Sequence, residues 1–150
     1  MDRPFTFKLE RVRALRERKE ELAKEELAAS LALRLRGEAM LQAAAEHVEQ
    51  ARGLQRAAAG APMSAQDLQA AQLYLERTER EREHASLNLD RQDAEVDARR
   101  SALQSAARER EVLERLKQRK QAEYRREAGR REGVLLDEMA ITMFRRGRTA

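Results

Sequence analysis

The stretch Gly60-Ala61-Pro62-Met63-Ser64 decides the fold, because it separates two long segments of helix-forming composition. Glycine suits the C-terminus of a helix, and proline cannot continue one. Ser64 can cap a new helix, and Asp67 places a carboxylate three residues further on, near the positive end of the helix dipole. The sequence therefore predicts a first helix over about residues 5–59, a loop over residues 60–64 and a second helix over about residues 65–144.

The composition on both sides of this loop favours long helices over a globular core. Of 150 residues, 39% are charged and 3% are aromatic, and there is no Trp. Ala, Glu, Lys, Leu and Arg together supply 98 of the 150 residues, above the roughly 50% share typical of coiled coils and long helices. Gly129 and Gly133 each cost about 1 kcal/mol relative to Ala in a helix, so the sequence leaves the course of the last segment open.

The same composition removes several classes of function. The chain has no Cys and two His, which excludes disulfides and thiolate sites and leaves little imidazole for catalysis or metal binding. It contains no nucleotide-binding glycine motif and no nucleophile motif. We therefore expect no catalytic, metal-binding or cofactor-binding residues, no small-molecule ligand and no enzymatic activity. Without an apolar run long enough for a signal peptide or a membrane span, the expected location is the cytoplasm.

Both segments carry an apolar heptad pattern, which is typical of a coiled coil. In the second segment, ten of seventeen heptad positions between Leu68 and Tyr124 are apolar. In the first segment, nine of fourteen are apolar, and these positions predict its contact face: Val12, Leu15, Lys19, Leu22, Glu26, Ala29, Leu33, Arg36, Met40, Ala43, His47, Gln50, Leu54 and Ala57.

A loop of five residues favours two antiparallel helices. The predicted fold is therefore all-α, a single coiled-coil hairpin over residues 1–150 in which the second helix is longer and overhangs the first. Folding about Pro62 would place Phe7 beside Lys117 and leave everything beyond about Arg119 without a partner helix. Residues 134–144 in this overhang are largely apolar, which suggests a docking segment.

Charge is segregated along the chain. Residues 1–19 hold seven basic and three acidic side chains, residues 115–150 hold eleven and five, and residues 20–114 hold thirteen and nineteen. An antiparallel hairpin would bring both basic segments to one end. Most arginines alternate with glutamate at helical spacing, and aromatic platforms for bases are missing, so a solvated face is favoured over binding to nucleic acid.

Four further segments accompany the loop: the opening Phe5-Thr6-Phe7-Lys8-Leu9-Glu10-Arg11-Val12-Arg13, then Glu20-Glu21-Leu22-Ala23, Leu73-Tyr74-Leu75, and a closing Leu136-Asp137-Glu138-Met139-Ala140 with Phe144. Together they resemble the FliJ family, small cytoplasmic components of the flagellar type III export apparatus. The resemblance covers essentially the whole chain. It implies an antiparallel coiled coil similar to the stalk subunit of rotary ATPases.

The resemblance also implies partners. FliJ-like proteins bind at the centre of the hexameric export ATPase FliI, promote its assembly and activity, contact the export gate protein FlhA and escort export chaperones. The resemblance therefore implies that any association with the membrane is peripheral and is made through these partners, at the inner face of the membrane at the flagellar base. By analogy, the end that carries both termini contacts the ATPase ring, which suggests these residues: Phe5, Phe7, Leu9, Arg11, Arg13, Leu136, Asp137, Glu138 and Phe144.

The gate contact in the family is an aromatic residue followed four positions later by an aliphatic one, close to the loop. Tyr74 matches the aromatic residue, whereas Thr78 stands where the aliphatic one would be. This departure either weakens the gate contact or shifts it onto Leu73 and Leu75.

Three alternatives remain open from the sequence. The first is the equivalent stalk protein of a virulence injectisome, which shares the architecture. The second is a generic homodimeric coiled-coil scaffold, and the third is a basic rod that binds nucleic acid.

Overall fold

The computed structural model describes residues 4–147, which form two helices joined by a short loop. Helix α1 spans Glu10–Ala59 (50 residues) and helix α2 spans Ala65–Gly147 (83 residues). Within the described part of the chain there is no β-strand. The predicted all-α class, with a longer second helix, is confirmed.

The ends of the helices have local causes. α1 begins at Glu10, later than the predicted residue 5, because residues 4–9 leave the helical path and Phe5 packs its ring on Tyr124 of α2. At the start of α2, the backbone N–H of Asp67 donates to Ser64 Oγ at 3.2 Å, as a helix cap does. α2 then continues unbroken through Gly129 and Gly133 to Gly147.

Contacts between backbone positions divide the chain into two units. Unit 1 comprises Met1–Glu20 and Ala106–Ala150, and unit 2 comprises Glu21–Ser105. Each unit contains part of α1 and part of α2.

In unit 2 the two helices are antiparallel, and their register differs from the predicted one. Cross-helix pairs are Gln55 with Gln72, Arg52 with Glu79, Arg34 with Asp93 and Glu26 with Arg99. Residue numbers in these pairs add to values close to 127, whereas folding about Pro62 would give 124. The physical reason is that residues 61–70 are all exposed, so the first turn of α2 lies past the end of α1 and finds no partner there.

The contact face of α1 in unit 2 is also displaced, by one residue, from the predicted heptad positions. Val48 and Ala51 are each 1% exposed, whereas the predicted contact residues Leu33 and Met40 are 52% and 61% exposed. His47 is exposed as well. The observed face repeats every three and four residues through Ala23, Leu27, Ser30, Arg34, Gly37, Leu41, Ala44, Val48, Ala51, Gln55 and Ala58.

This face is preferred although it contains fewer large apolar residues. Every seventh residue from Ala23 to Ala58 is Ala, Ser or Gly, which lets the facing helix approach closely. The same face allows Arg34 and Arg52 to reach carboxylates on α2. On α2, the predicted face is largely correct, since Thr78 and Val96 are buried, although Leu68 and Arg82 are exposed.

In unit 1 ion pairs join the two helices. Glu20 is buried and pairs with Arg110, and Arg16 pairs with Glu109. Arg13 Nη1 lies 3.3 Å from Glu114 Oε2, and Lys117 Nζ lies 3.0 Å from Glu10 Oε2. Lys117 therefore faces Glu10 and not Phe7, which corrects the predicted pairing.

Candidate functional site

The described residues contain no group of three or more His, Asp or Glu side chains that could hold a metal ion. Over residues 4–147, no helix has a stretch that is both long and apolar enough to cross a membrane.

The first candidate surface is a groove in unit 1 that the opening segment forms with α2. The rings of Phe5 and Tyr124 lie 5.7 Å apart between centroids, tilted by 52°. A groove of about 690 Å³ runs beside them, with residues 4–9 on one side and Leu116, Lys120 and Tyr124 on the other. Phe5 and Phe7 are half-buried and Leu9 is exposed. The non-helical path of residues 4–9 thus places both phenylalanines against α2 and keeps part of each accessible.

An ionic cluster supports this groove from the α1 side. Glu10 accepts hydrogen bonds from Arg13 Nη2 at 2.6 Å and from Lys117 Nζ at 3.0 Å. These two donors, Arg13 first, lower the pKa of Glu10 from 4.5 to about 2. The hydrogen bond with Glu10 raises the pKa of Arg13, which also faces Glu114. Arg13 is therefore held within the protein, whereas Arg11 is exposed to solvent.

The second candidate surface in unit 1 is the end of α2, residues 129–147, which we call the tail. All its residues are exposed, whereas Tyr124 and Ala128 just before it are half-buried. Large apolar side chains dominate the stretch from residue 134 to residue 144, and Leu136 and Phe144 are 62% and 67% exposed. Asp137 and Glu138 interrupt this apolar stretch near its middle. The tail begins at Gly129 instead of shortly after Arg119, because residues 4–9 extend along α2 beyond the start of α1.

Seven of the nine predicted ring-contact residues fall into these two groups, and the other two, Arg11 and Arg13, lie on α1. Phe5, Phe7 and Leu9 line the groove, while Leu136 and Phe144 lie on the tail together with Asp137 and Glu138. Tyr124 and Leu136 are twelve residues apart on one helix, which is about 18 Å. The structure therefore brings the first group together and leaves the second as a separate surface of the same unit.

The third candidate surface is in unit 2, just after the loop. Leu73 and Tyr74 are exposed, and Leu75 is half-buried. Thr78 is 2% exposed, and its Oγ1 donates to the backbone oxygen of Leu75 at 2.9 Å. Thr78 thus belongs to the interface between the helices, and the accessible part of this surface is Leu73 with Tyr74.

Sequence reasoning did not single out Tyr124 or Leu116 as site residues, although both line the groove. Tyr124 had a signal in the sequence, since it occupies a heptad position on α2. What the sequence does not show is that residues 4–9 leave the helix and that Phe5 packs against this position.

The two units differ in charge. By sequence, unit 1 holds 20 basic and 12 acidic side chains, for a net charge of +8. Unit 2 holds 11 basic and 15 acidic side chains, for a net charge of −4. The groove and the tail therefore both belong to a strongly basic unit, which favours an electronegative partner.

Comparison with known proteins gives one assignment. A family model described as "Flagellar FliJ protein" matches residues 5–149, nearly the whole chain. No curated protein and no solved structure matches the chain.

Proposed function

Because this chain belongs to the FliJ family of flagellar proteins, we propose that it serves as a non-enzymatic stalk of the flagellar protein export apparatus. In this role unit 1 docks at the centre of the hexameric export ATPase, promotes assembly of the ring and raises its activity. The nucleotide chemistry belongs to the ATPase, and this chain supplies only surfaces.

The observation that carries the proposal is the composition of unit 1. It combines a net charge of +8 with an aromatic groove and a tail whose large apolar side chains are more than half exposed, whereas unit 2 is acidic. Aromatic and large aliphatic side chains contribute disproportionately to binding energy at interfaces. Basic residues around them accelerate docking onto an electronegative ring. The match to a flagellar family favours this system over a virulence injectisome and over a general scaffold.

The gate protein, in this proposal, binds at Leu73 and Tyr74 of unit 2. Both side chains are exposed close to the loop, whereas Thr78 is buried and unable to join them. Export chaperones also bind this chain, which delivers them to the gate protein. The whole assembly works at the cytoplasmic face of the membrane at the flagellar base, held there by its partners.

The test is to truncate the chain after Arg131 and measure stimulation of the purified export ATPase. The removed residues that the structure describes, 132–147, are exposed, so the helical circular dichroism signal per residue should stay close to that of the full chain. We expect stimulation to be lost. Stimulation that survives the truncation would show that the tail is not the docking element.

Point variants separate the two proposed interfaces. Leu136→Ser with Phe144→Ser should remove stimulation of the ATPase and leave binding to the gate protein intact. Leu73→Ser with Tyr74→Ser should do the reverse. Each pair is the matched control for the other, because all four side chains are exposed. Loss of both activities in either pair would argue against separate surfaces.

A further inference from the structure

Unit 2 exposes an apolar surface on α1 that the proposed function does not use. We call it the patch, and it covers residues 28–43. Leu33, Leu35 and Met40 are each more than half exposed there. Ala28, Ala32, Ala39 and Ala43 are exposed on the side of α1 that points away from α2. The patch is thus a floor of alanines, with Leu33 and Met40 along one edge and Leu35 along the other.

The patch is flanked by negative charge at both ends. Residues 21–26 hold three glutamates and Lys24, for a net charge of −2, and Glu46 with Glu49 give −2 on the other side. Glu21, Glu26 and Glu49 form ion pairs with Lys24, Arg99 and Arg52, so Glu25 and Glu46 are the carboxylates at the two ends that have no ion pair among the described residues. Between these acidic ends lie Arg34, Arg36 and Glu38, for a net charge of +1. Along the helix, the order is therefore negative, weakly positive and negative, with the apolar side chains between the charges.

The tail with the turn before it has the opposite order. Residues 125–132 hold four arginines and two glutamates, for a net charge of +2. Asp137 and Glu138 give −2 in the middle of the apolar stretch, and Arg145 with Arg146 give +2 at its end.

The two patterns also match in length. Glu25 and Glu46 are 21 residues apart, about 32 Å along a helix, and Arg126 and Arg146 are 20 residues apart, about 30 Å. The order of charges along the patch and the order along the tail are each symmetric from end to end. The charges therefore match whether α1 of one chain and the tail of the other run parallel or antiparallel.

From this complementarity we infer that the patch of one chain binds the tail of a second copy of the same chain. The leucines and methionines of the tail cover the alanine floor, and the arginines at its ends face the glutamates of the patch. Two patches cannot pair with each other, because both acidic ends would meet like charge, and two tails fail for the same reason. The contact is heterologous, and it closes into a dimer when each chain gives its tail to the other.

One consequence rests on the proposed function. If the tail docks in the ATPase ring, the second copy and the ring compete for the same apolar side chains. Self-association then covers the tail until the ring is available. Self-association involves this chain alone, so it is tested without the ATPase. Its failure would leave the proposed function unaffected, and failure of the proposed function would leave self-association unaffected.

The experiment is sedimentation equilibrium of the full chain over a range of concentrations at low and high salt. We expect the mass to rise with concentration from the single-chain value of 17.3 kDa to that of two chains or more, and to fall back as salt is added. Two charge-reversed variants are compared with it. One is Glu25→Arg with Glu46→Arg in the patch, and the other is Arg126→Glu with Arg146→Glu in the tail.

Each reversed variant alone should remain a single chain, because its two substitutions bring the net charge at both ends of the patch, or of the tail, to zero and so remove the attraction between the two surfaces. An equal mixture of the two should associate again, because the unchanged tail of the patch variant fits the unchanged patch of the tail variant. Arg91→Glu, an exposed charge reversal on α2 outside both surfaces, should associate like the original chain.

Three results would overturn the inference. The first is an original chain that stays single at every concentration, which includes the case of a tail that binds within its own chain. The second is a reversed variant that associates as strongly as the original. The third is a mixture that stays as dissociated as its two components.

Discussion

Gly37 of α1 and Gln92 of α2 form the contact in unit 2 whose energy can be worked out most directly. A Cβ atom added at Gly37 would lie 1.9 Å from Gln92 Oε1 and 3.0 Å from its Cδ. The carboxamide of Gln92 therefore occupies the space that a side chain at residue 37 would need. Gln92 Oε1 is buried and has no hydrogen-bond donor among the described residues.

Two opposing effects set the stability of the Gly37→Ala variant. Replacing glycine by alanine inside a helix contributes about 1 kcal/mol. Against this, Gln92 must withdraw by about 1.5 Å to reach an ordinary contact distance, and lose packing that we place at about 1 kcal/mol. We expect a net change near zero. Once Gln92→Ala has removed the obstruction, the same substitution should give its full gain of about 1 kcal/mol.

Gly53 provides the matched control. It lies in the same helix and the same unit, and nothing lies within 4 Å of a Cβ atom added there. Gly53→Ala should therefore stabilise the protein by about 1 kcal/mol, which corresponds to about 2–4 °C in Tm for a chain of this size.

The assay is urea unfolding followed by circular dichroism, on the original chain, Gly53→Ala, Gly37→Ala, Gln92→Ala and the double variant. The double-mutant cycle between residues 37 and 92 should give a coupling of about 1 kcal/mol. A coupling of zero, with Gly37→Ala as stabilising as Gly53→Ala, would refute the reasoning, because Gln92 would then not fill the space beside Gly37.

Three further predictions follow from the helix contacts. Val48→Ala should destabilise the protein by about 1–3 kcal/mol because Val48 is fully buried, whereas Leu33→Ala should change stability by less than about 0.5 kcal/mol. A larger loss of stability for Leu33→Ala than for Val48→Ala in urea unfolding would show that the leucine positions form the contact face of α1. Glu10→Gln should lower stability at pH 7, because the pKa of Glu10 is about 2 in the folded chain and 4.5 ordinarily, so its charge stabilises the fold at pH values above 4.5. This contribution is lost as the pH falls from 4.5 towards 2, so the denaturant midpoints of the original chain and of the variant should converge over that interval. A constant difference between the two midpoints would contradict the stabilising role of the Glu10 ion pairs. Ser64→Ala should lower stability by about 1 kcal/mol because the cap on α2 is lost, while Ser101→Ala, at an exposed position inside the helix, should cause no measurable loss of stability. Equal thermal midpoints for the two variants would show that Ser64 does not stabilise α2 as a cap.

Local chemistry made several features predictable from the sequence. Gly60, Pro62 and Ser64 punctuate the chain through backbone properties that need no distant partner, and Ser64 Oγ accepts a hydrogen bond from the Asp67 N–H as its position predicts. The heptad face of α2 was predictable as well, because Leu75, Leu89, Val96 and Leu103 leave little choice of direction. Membership of the FliJ family was recognisable from short segments spread over the whole length and is confirmed.

The contact face of α1 was not predictable, because two faces one residue apart compete. The leucine face has more apolar side chains, but the alanine, serine and glycine face permits closer approach and lets Arg34 and Arg52 reach α2. A count of apolar residues measures the apolar content of each face but not how closely the two helices can approach. This choice buries Thr78, which removes it from the candidate gate surface, and it leaves Leu33 and Met40 exposed as part of the patch.

By itself, the sequence determined that this protein is two long antiparallel helices with a longer second helix, because composition, capping residues and turn residues act over a few positions at a time. Only the tertiary structure decided which side chains meet, since that depends on the approach of one helix to another. The pairing of Glu10 with Lys117, the contact of Phe5 with Tyr124 and the identity of the exposed apolar surfaces all follow from that approach.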